Sequence, residues 1–568
     1  MEVKTDPPPT SAPSSQPVSP RMKPKSPVKN MWEKAYCIQR EELPIFPSND
    51  QQEFGPYLNK LGDILEQKKS RYASYEVAAR LAVLNHADAR NDDAIPYFET
   101  AMEGLRPMVS KDPGSKLLFQ TTGLRYANAL DLLGEYDKAE AVFEELVECN
   151  PSGEHIVEFA IFLQRRKKDM LRAQMYFERA VEVFPKHASV CLKYATFMRH
   201  VRRDTKIAEI YYRKCTELNP NFSEGLGSYA SFLYGLRRNL SLVPALYQQA
   251  VDLDPYNTSN LCNYGLFLSE EKSDYSKAES IYQQALAINR SHSNTLYNYG
   301  VMLDTHLNRK QEAESFYRRA IAAAPGHAYA LYNLAVLLEE EERKKGNIKS
   351  IITDIDIEAA SKSEMLLEIK SLYAKASEAD QKDPDISSDY GRFLLMRMGE
   401  VDTADAYLTK ALNIASSNEV ALFHMGTLLY KNRNDLVAAY EHLNALVTVN
   451  PKHLPGRQQL ARVLADLQRE LIAPKSEPTA QFQSLKASFR PKDFMDVAAT
   501  HYEESIKLAG EPDRIILEYI RAVNKSGTAS ALMRCIGFVD TILSGPSKYP
   551  DLNLLLDQVR TKLSTKKK

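Results

Sequence analysis

Three asparagines recur at one spacing in the middle of the chain: Asn263, Asn298 and Asn333 stand 35 residues apart. Asparagine is a mediocre helix former and buries no apolar surface, so its recurrence calls for a reason. Its amide both donates and accepts. That suits it to bond the backbone of an extended peptide, or to tie one helix to its neighbour. The same column elsewhere reads Glu158, Lys193, Ser228, Asp389 and His424, so the asparagines span three central repeats only. Positive charge recurs in a similar way upstream. Arg165, Arg166, Lys167 and Lys168 are followed by Arg199, Arg202 and Arg203, then by Arg237 and Arg238. Stacked side by side, these would make a basic ridge able to meet phosphates or an acidic protein face. The ridge breaks at Glu270 and Glu271, and no interleaved aromatics support stacking on single-stranded nucleic acid.

Catalytic chemistry has no comparable signature. There is no H-E-x-x-H and no Cys/His cluster, and Asp354 with Asp356 lacks the rest of a calcium loop. Gly225-Leu226-Gly227 is only a fragment of a phosphate cradle. Histidines are dispersed, with none beside a nucleophile in a recognisable motif. The expectation is a protein without enzymatic activity, metal or cofactor.

The chain of 568 residues is too long for one compact core and calls for several domains or an open stack. Its 73 basic and 74 acidic side chains nearly cancel, so global charge names no partner. Cys37, Cys149, Cys191, Cys215, Cys262 and Cys535 form no C-x-x-C pair, which fits a reducing compartment. No apolar run is long enough to span a bilayer, and the start of the chain has neither a signal core nor a transit-peptide pattern. A cytoplasmic protein is expected, with a nuclear location open.

The elements that position the asparagines follow from a repeat. Prolines close successive segments at Pro151, Pro185, Pro220, Pro255 and Pro325, with Arg290 at the equivalent place. The steps are 34 residues and then 35 each time. Phe177, Tyr212, Tyr247, Tyr282 and Tyr317 keep step, and so do the small residues Ala173, Ala208, Ala278 and Ala313, with Val243 between them. Three residues after each aromatic comes Ala180, Cys215, Ala250, Ala285 or Ala320. Small and aromatic residues at i, i+4 and i+7 share one helix face. Each unit is therefore a helical hairpin that must stack on the next to bury that face.

Leu296-Tyr297-Asn298-Tyr299-Gly300, followed by Ala313, Tyr317, Ala320 and Pro325, resembles the tetratricopeptide repeat family over roughly residues 116–451. The resemblance implies an all-α, right-handed superhelical solenoid of about nine repeats with divergent helical caps. One extra residue between the paired helices lengthens the usual period. The family places the column of Asn263, Asn298 and Asn333 on the concave groove, which implies a scaffold or adaptor binding a protein or extended peptide. The family's carboxylate clamp needs a second asparagine where this chain has Leu266, Val301 and Val336, so a chaperone-tail receptor is not expected. The related half-a-tetratricopeptide repeat, typical of RNA-processing scaffolds, is the alternative. It favours tryptophan in its first helix, and Trp32, the sole tryptophan, lies outside the array.

Around the array, residues 1–30 are rich in Pro, Ser and Lys and are expected to be disordered, with Ser19 and Ser26 as proline-directed phosphorylation candidates. Residues 31–115 should form an N-terminal helical cap, with helices at 72–90 and 93–106. An insertion at about 341–365 interrupts the array as a tolerated loop or a docking strand. Residues 452–568 should hold repeat-like helices, a cap and a basic tail. No membrane insertion is expected, nucleic acid is disfavoured as a partner, and oligomeric state is left open.

Overall fold

The computed structural model describes residues 91–109, 113–149, 152–345, 363–472, 493–509, 512–526, 529–542 and 550–566. The N-terminal tail with Ser19 and Ser26, the cap up to residue 90, the centre of the insertion and the 473–492 linker lie outside them. The described residues form 24 α-helices joined by short turns. The chain divides between Asp254 and Pro255 into two compact units.

The first unit contains α1 (Asn91–Leu105), α2 (Pro113–Leu133), α3 (Tyr136–Glu148), α4 (Gly153–Phe162), α5 (Met170–Val183), α6 (Ala188–Phe197), α7 (Thr205–Leu218), α8 (Ser223–Gly235) and α9 (Val243–Leu253). From α2 onward they pair as antiparallel hairpins. The second unit continues the pattern with α10 (Thr258–Glu270), α11 (Tyr275–Ile288), α12 (Ser293–Val301), α13 (Lys310–Ala323), α14 (Ala328–Lys344), α15 (Glu364–Ala379), α16 (Pro384–Phe393), α17 (Val401–Ile414), α18 (Glu419–Leu428) and α19 (Leu436–Val449). It ends with α20 (Leu454–Ile472), α21 (Asp493–Leu508), α22 (Asp513–Ser526), α23 (Ala529–Ile542) and α24 (Pro550–Lys566).

The repeating aromatic is the centre of each hairpin. Phe177, Tyr212, Tyr247, Tyr282, Tyr317 and Tyr373 are all fully buried. Where another repeat follows in the same unit, the ring reaches its first helix. Phe177 meets Phe197 at 4.7 Å between centroids, Tyr212 meets Phe232 at 5.0 Å, and Tyr282 stacks on Tyr299 at 5.5 Å. Such pairs add to the area they bury, so one residue per repeat joins two hairpins.

The ring needs a small partner, and the first helices supply one. A Cβ at Gly265 would come within 2.6 Å of the Tyr282 ring, and one at Gly300 within 2.9 Å of Tyr317. Ala160, Ala195 and Ala230 hold the same place in other repeats, so one methyl group is tolerated there. A branched side chain is not. Replacing Gly265 by valine should destabilise the second unit by about 2 kcal/mol, since overpacking outweighs the roughly 1 kcal/mol gained by removing a helical glycine. Chemical denaturation of the two proteins checks this, with Gly265→Ala as the control, expected to cost less because the Tyr282 ring need shift for only one methyl group.

The extra residue of the 35-residue period sits in a widened turn. The first helices α4, α6, α12, α16 and α18 end in single π-turns, at Leu163–Lys167, Met198–Arg202, Met302–His306, Leu394–Met398 and Leu429–Arg433. Four of these close on a left-handed residue: Lys168 at φ 57°, Arg203 at 57°, Gly399 at 68° and Asn434 at 55°. The next amide then reaches back six residues, as from Asp169 to the Leu163 carbonyl at 3.1 Å and from Asp204 to Met198 at 3.0 Å. This is a wider relative of the usual left-handed helix cap. The aspartate that follows starts the second helix. Asp169, Asp204 and Asp435 each accept from a backbone N–H of the first turn, as N-caps do.

Candidate functional site

Asn263, Asn298 and Asn333 lie on α10, α12 and α14, all in the second unit, and each is half-buried. The helix is set by its apolar face: Leu296 and Tyr299 go inward beside Gly300, which leaves Asn298 at the edge of that face. The amide Nδ2 of Asn298 donates to Cys262 Sγ at 3.4 Å, and that of Asn333 donates to Tyr297 Oη at 3.3 Å. Both acceptors belong to the preceding first helix. Thus the amide nitrogen of two members ties neighbouring repeats together. Burial pushes the Cys262 thiol up, and bonds from Thr295 and Asn298 oppose this. An aromatic group borders the column, with Tyr297 against His327 at 4.9 Å and against the half-exposed Tyr329 at 6.4 Å.

Beyond Asn333 the column continues as Asp389, His424 and Gln459, and here the sequence reading missed a charged network. Glu339 is 6% exposed and accepts both terminal nitrogens of Arg392, at 2.9 and 2.8 Å. Arg397 Nε at 3.2 Å and Tyr373 Oη at 3.2 Å complete its shell. Asp389 receives Arg392 Nε at 2.9 Å and Tyr332 Oη at 2.6 Å. The arginines hold the Glu339 carboxyl below its usual range despite its burial. The sequence offered one clue, an apolar helix face whose pattern ends in Glu339.

The basic residues stand along turns of the first unit, as follows. Arg166 pairs with Asp131 at 2.7 Å, Lys167 with Asp137 at 2.7 Å and Glu140 at 2.8 Å, and Arg238 with Glu209 at 2.9 Å. Each pair reaches the preceding hairpin. Arg199 lies over the Phe232 ring at 5.7 Å, and Arg237 over Tyr234 at 5.5 Å. Arg165, Lys168, Arg202 and Arg203 are exposed and make no ion pair among the described residues. Much of the recurrent charge is thus drawn into clamps between hairpins, which exposed pairs support only weakly.

Among the described residues no group of His, Cys, Asp and Glu could hold a metal ion, and no helix is long and apolar enough to cross a membrane. Cys149, Cys191, Cys215, Cys262 and Cys535 are free thiols.

Family models described as tetratricopeptide repeat match residues 270–328 and 124–152. No curated protein matches the sequence significantly. Among solved structures, the human IFIT1 dimer with m7Gppp-AAAA aligns at 16% identity and a TM-score of 0.40, covering 85% of this chain and 100% of that chain. Pseudomonas aeruginosa pilF aligns at 19% identity and a TM-score of 0.30, covering 42% of this chain and 99% of that chain. The matched repeats and the stacked hairpins with their buried aromatic columns make this chain a tetratricopeptide-like helical repeat protein.

Proposed function

We propose that the chain is a non-enzymatic scaffold that binds a partner protein or extended peptide along the first-helix face around Asn263, Asn298 and Asn333. The observation that carries this is the aligned amides. Two are anchored through Nδ2 to the helix before them, which sets their orientation and keeps the amide oxygen from rotating freely. Such pre-set polar groups cost little ordering when a ligand binds. The flanking Tyr297 and Tyr329 supply apolar contact of the kind interfaces favour.

Affinity capture with cross-linking mass spectrometry tests this by comparing wild type with Asn263→Ala/Asn298→Ala/Asn333→Ala. Alanine is the better helix former, so the variant should keep its helicity. A partner cross-linked to α10, α12 and α14 and lost in the variant supports the reading. Partners that persist, or that cross-link at Arg165, Lys168, Arg202 and Arg203 with a steep salt dependence, would replace it with a phosphate-binding scaffold.

A further inference from the structure

We propose that a cavity on the first-helix face of the first unit is a binding site for a lysine or arginine side chain presented by an extended polypeptide partner. The site lies in the other unit from the asparagine column and does not depend on that reading.

The cavity is open to solvent, has a volume of about 360 Å³, and is walled by residues of α2, α4 and α6. This is near the small end of ligand sites, suited to one long side chain rather than a whole cofactor. Its floor is apolar. Val157 and Val190 are buried, and Leu124 on α2 closes one side. Its polar groups are Glu154 and Glu158 on α4, Asn128 on α2, and Ser189 and Lys193 on α6.

Charge selects the occupant. Among the described residues, neither Glu154 nor Glu158 forms a hydrogen bond or ion pair with its carboxylate. The one cation in the wall, Lys193, is engaged at 3.0 Å by Glu224 on α8, the first helix of the following hairpin. Burial pushes the Glu158 carboxyl above its usual range, with Glu154 adding to this and Lys193 and Arg165 opposing it. A half-buried carboxylate without a contact partner is a standing electrostatic deficit that an entering cation would relieve. An aliphatic stem over Leu124, Val157 and Val190 with a cationic head at Glu158 describes lysine and arginine, whose stems bury while their heads find charge. A carboxylate ligand would face two like charges. Asn128 and Ser189 could bond the peptide backbone on either side.

The test uses the full chain and a fluorescent alanine–glycine heptapeptide with one central lysine, followed by fluorescence anisotropy. Peptides with arginine, acetyl-lysine or norleucine at the centre serve as competitors. Zero-length carbodiimide coupling reports which carboxylate meets the lysine amine. The expected result is saturable binding, coupling at Glu158 or Glu154, competition by the arginine peptide, and none by acetyl-lysine or norleucine. Glu158→Gln should weaken binding about tenfold or more, the worth of a charge-assisted hydrogen bond. An unchanged thermal melt shows that this variant still folds. A second variant, Asn128→Asp, should strengthen binding, because it adds a negative charge to the wall without changing its shape. Unchanged affinity in Glu158→Gln, equal competition by norleucine, or coupling confined to other carboxylates would each overturn the proposal. Competition by free spermidine as strong as by the peptide would overturn its polypeptide part.

Discussion

Glu339→Ala is expected to destabilise the second unit by about 3–5 kcal/mol, among the largest losses a single substitution should cause here. The reason is what the change leaves behind. Arg392 makes a two-pronged contact with this carboxylate, and Arg397 and Tyr373 point at the same group. With the carboxylate gone, two guanidinium groups share a poorly hydrated region and repel each other. Asp389 stays bonded to Arg392 Nε and Tyr332 and compensates only in part. The alternative, that the ion pair adds nothing, is tested by replacing both partners. Glu339→Leu/Arg392→Met should recover part of the loss, since it removes the stranded Arg392 guanidinium, while Arg397 and Asp389 each lose one partner. Urea denaturation followed by circular dichroism measures all three. A loss below about 1 kcal/mol in the single variant would place Glu339 with the ordinary surface pairs. Stacked repeats can unfold in steps, so the transition beside α14 to α16 is the one to compare.

Mild acid should weaken the same unit through its buried histidines. His424 is largely enclosed, its Nδ1 has no hydrogen-bond partner among the described residues, and its neighbours include Arg392 and His453 as well as Glu339. Burial first, then the Arg392 guanidinium and the neighbouring His453, push it down to about 3. His501, beside Arg457, is pushed down to about 4 for the same leading reason. Both are therefore neutral when folded and take up a proton readily only when unfolded. The unfolded state binds more protons as pH drops below about 6.5, so stability is full above that value and falls toward the folded values. Between pH 7 and pH 5 each histidine should remove about 2 kcal/mol. Glu339 does not oppose this, because its lowered carboxyl stays ionised throughout that window. Thermal melts at the two pH values should show the drop, and His424→Leu should remove about 2 kcal/mol of it, the rest coming from His501 and from His292, His327 and His442, which burial also pushes down. A pH-independent melt would mean that His424 is hydrated.

Much of the fold was legible because one short pattern repeats. A small residue, an aromatic and a second small residue at helical spacing can be buried only against another helix. Its recurrence at Phe177, Tyr212, Tyr247, Tyr282 and Tyr317 leaves little choice except stacked hairpins. The extra residue per repeat was visible as a number, but its form was not. A π-turn ending on Lys168 or Arg203 uses a left-handed conformation that side chains other than glycine seldom adopt, and neither residue type announces it. Gly399 at the equivalent turn would have been the readable case.

Among the site residues, sequence placed Asn263, Asn298 and Asn333 on successive first helices but left open what their amides touch. That depends on the neighbouring helix, and the answer for Asn298 is Cys262, 36 positions earlier. The basic turns show the same division. Composition reveals that Arg166, Lys167 and Arg238 recur, whereas only the packed hairpins bring Asp131, Asp137, Glu140 and Glu209 within reach. Glu339 and Arg392 are 53 residues apart across an interruption of the period, so no spacing rule could pair them. What the sequence by itself determined is the local repeating interaction, since helix period and residue size act over a few positions. What only the tertiary structure decided is which polar groups meet, because a hydrogen bond or ion pair depends on distances set by every hairpin packed between its partners.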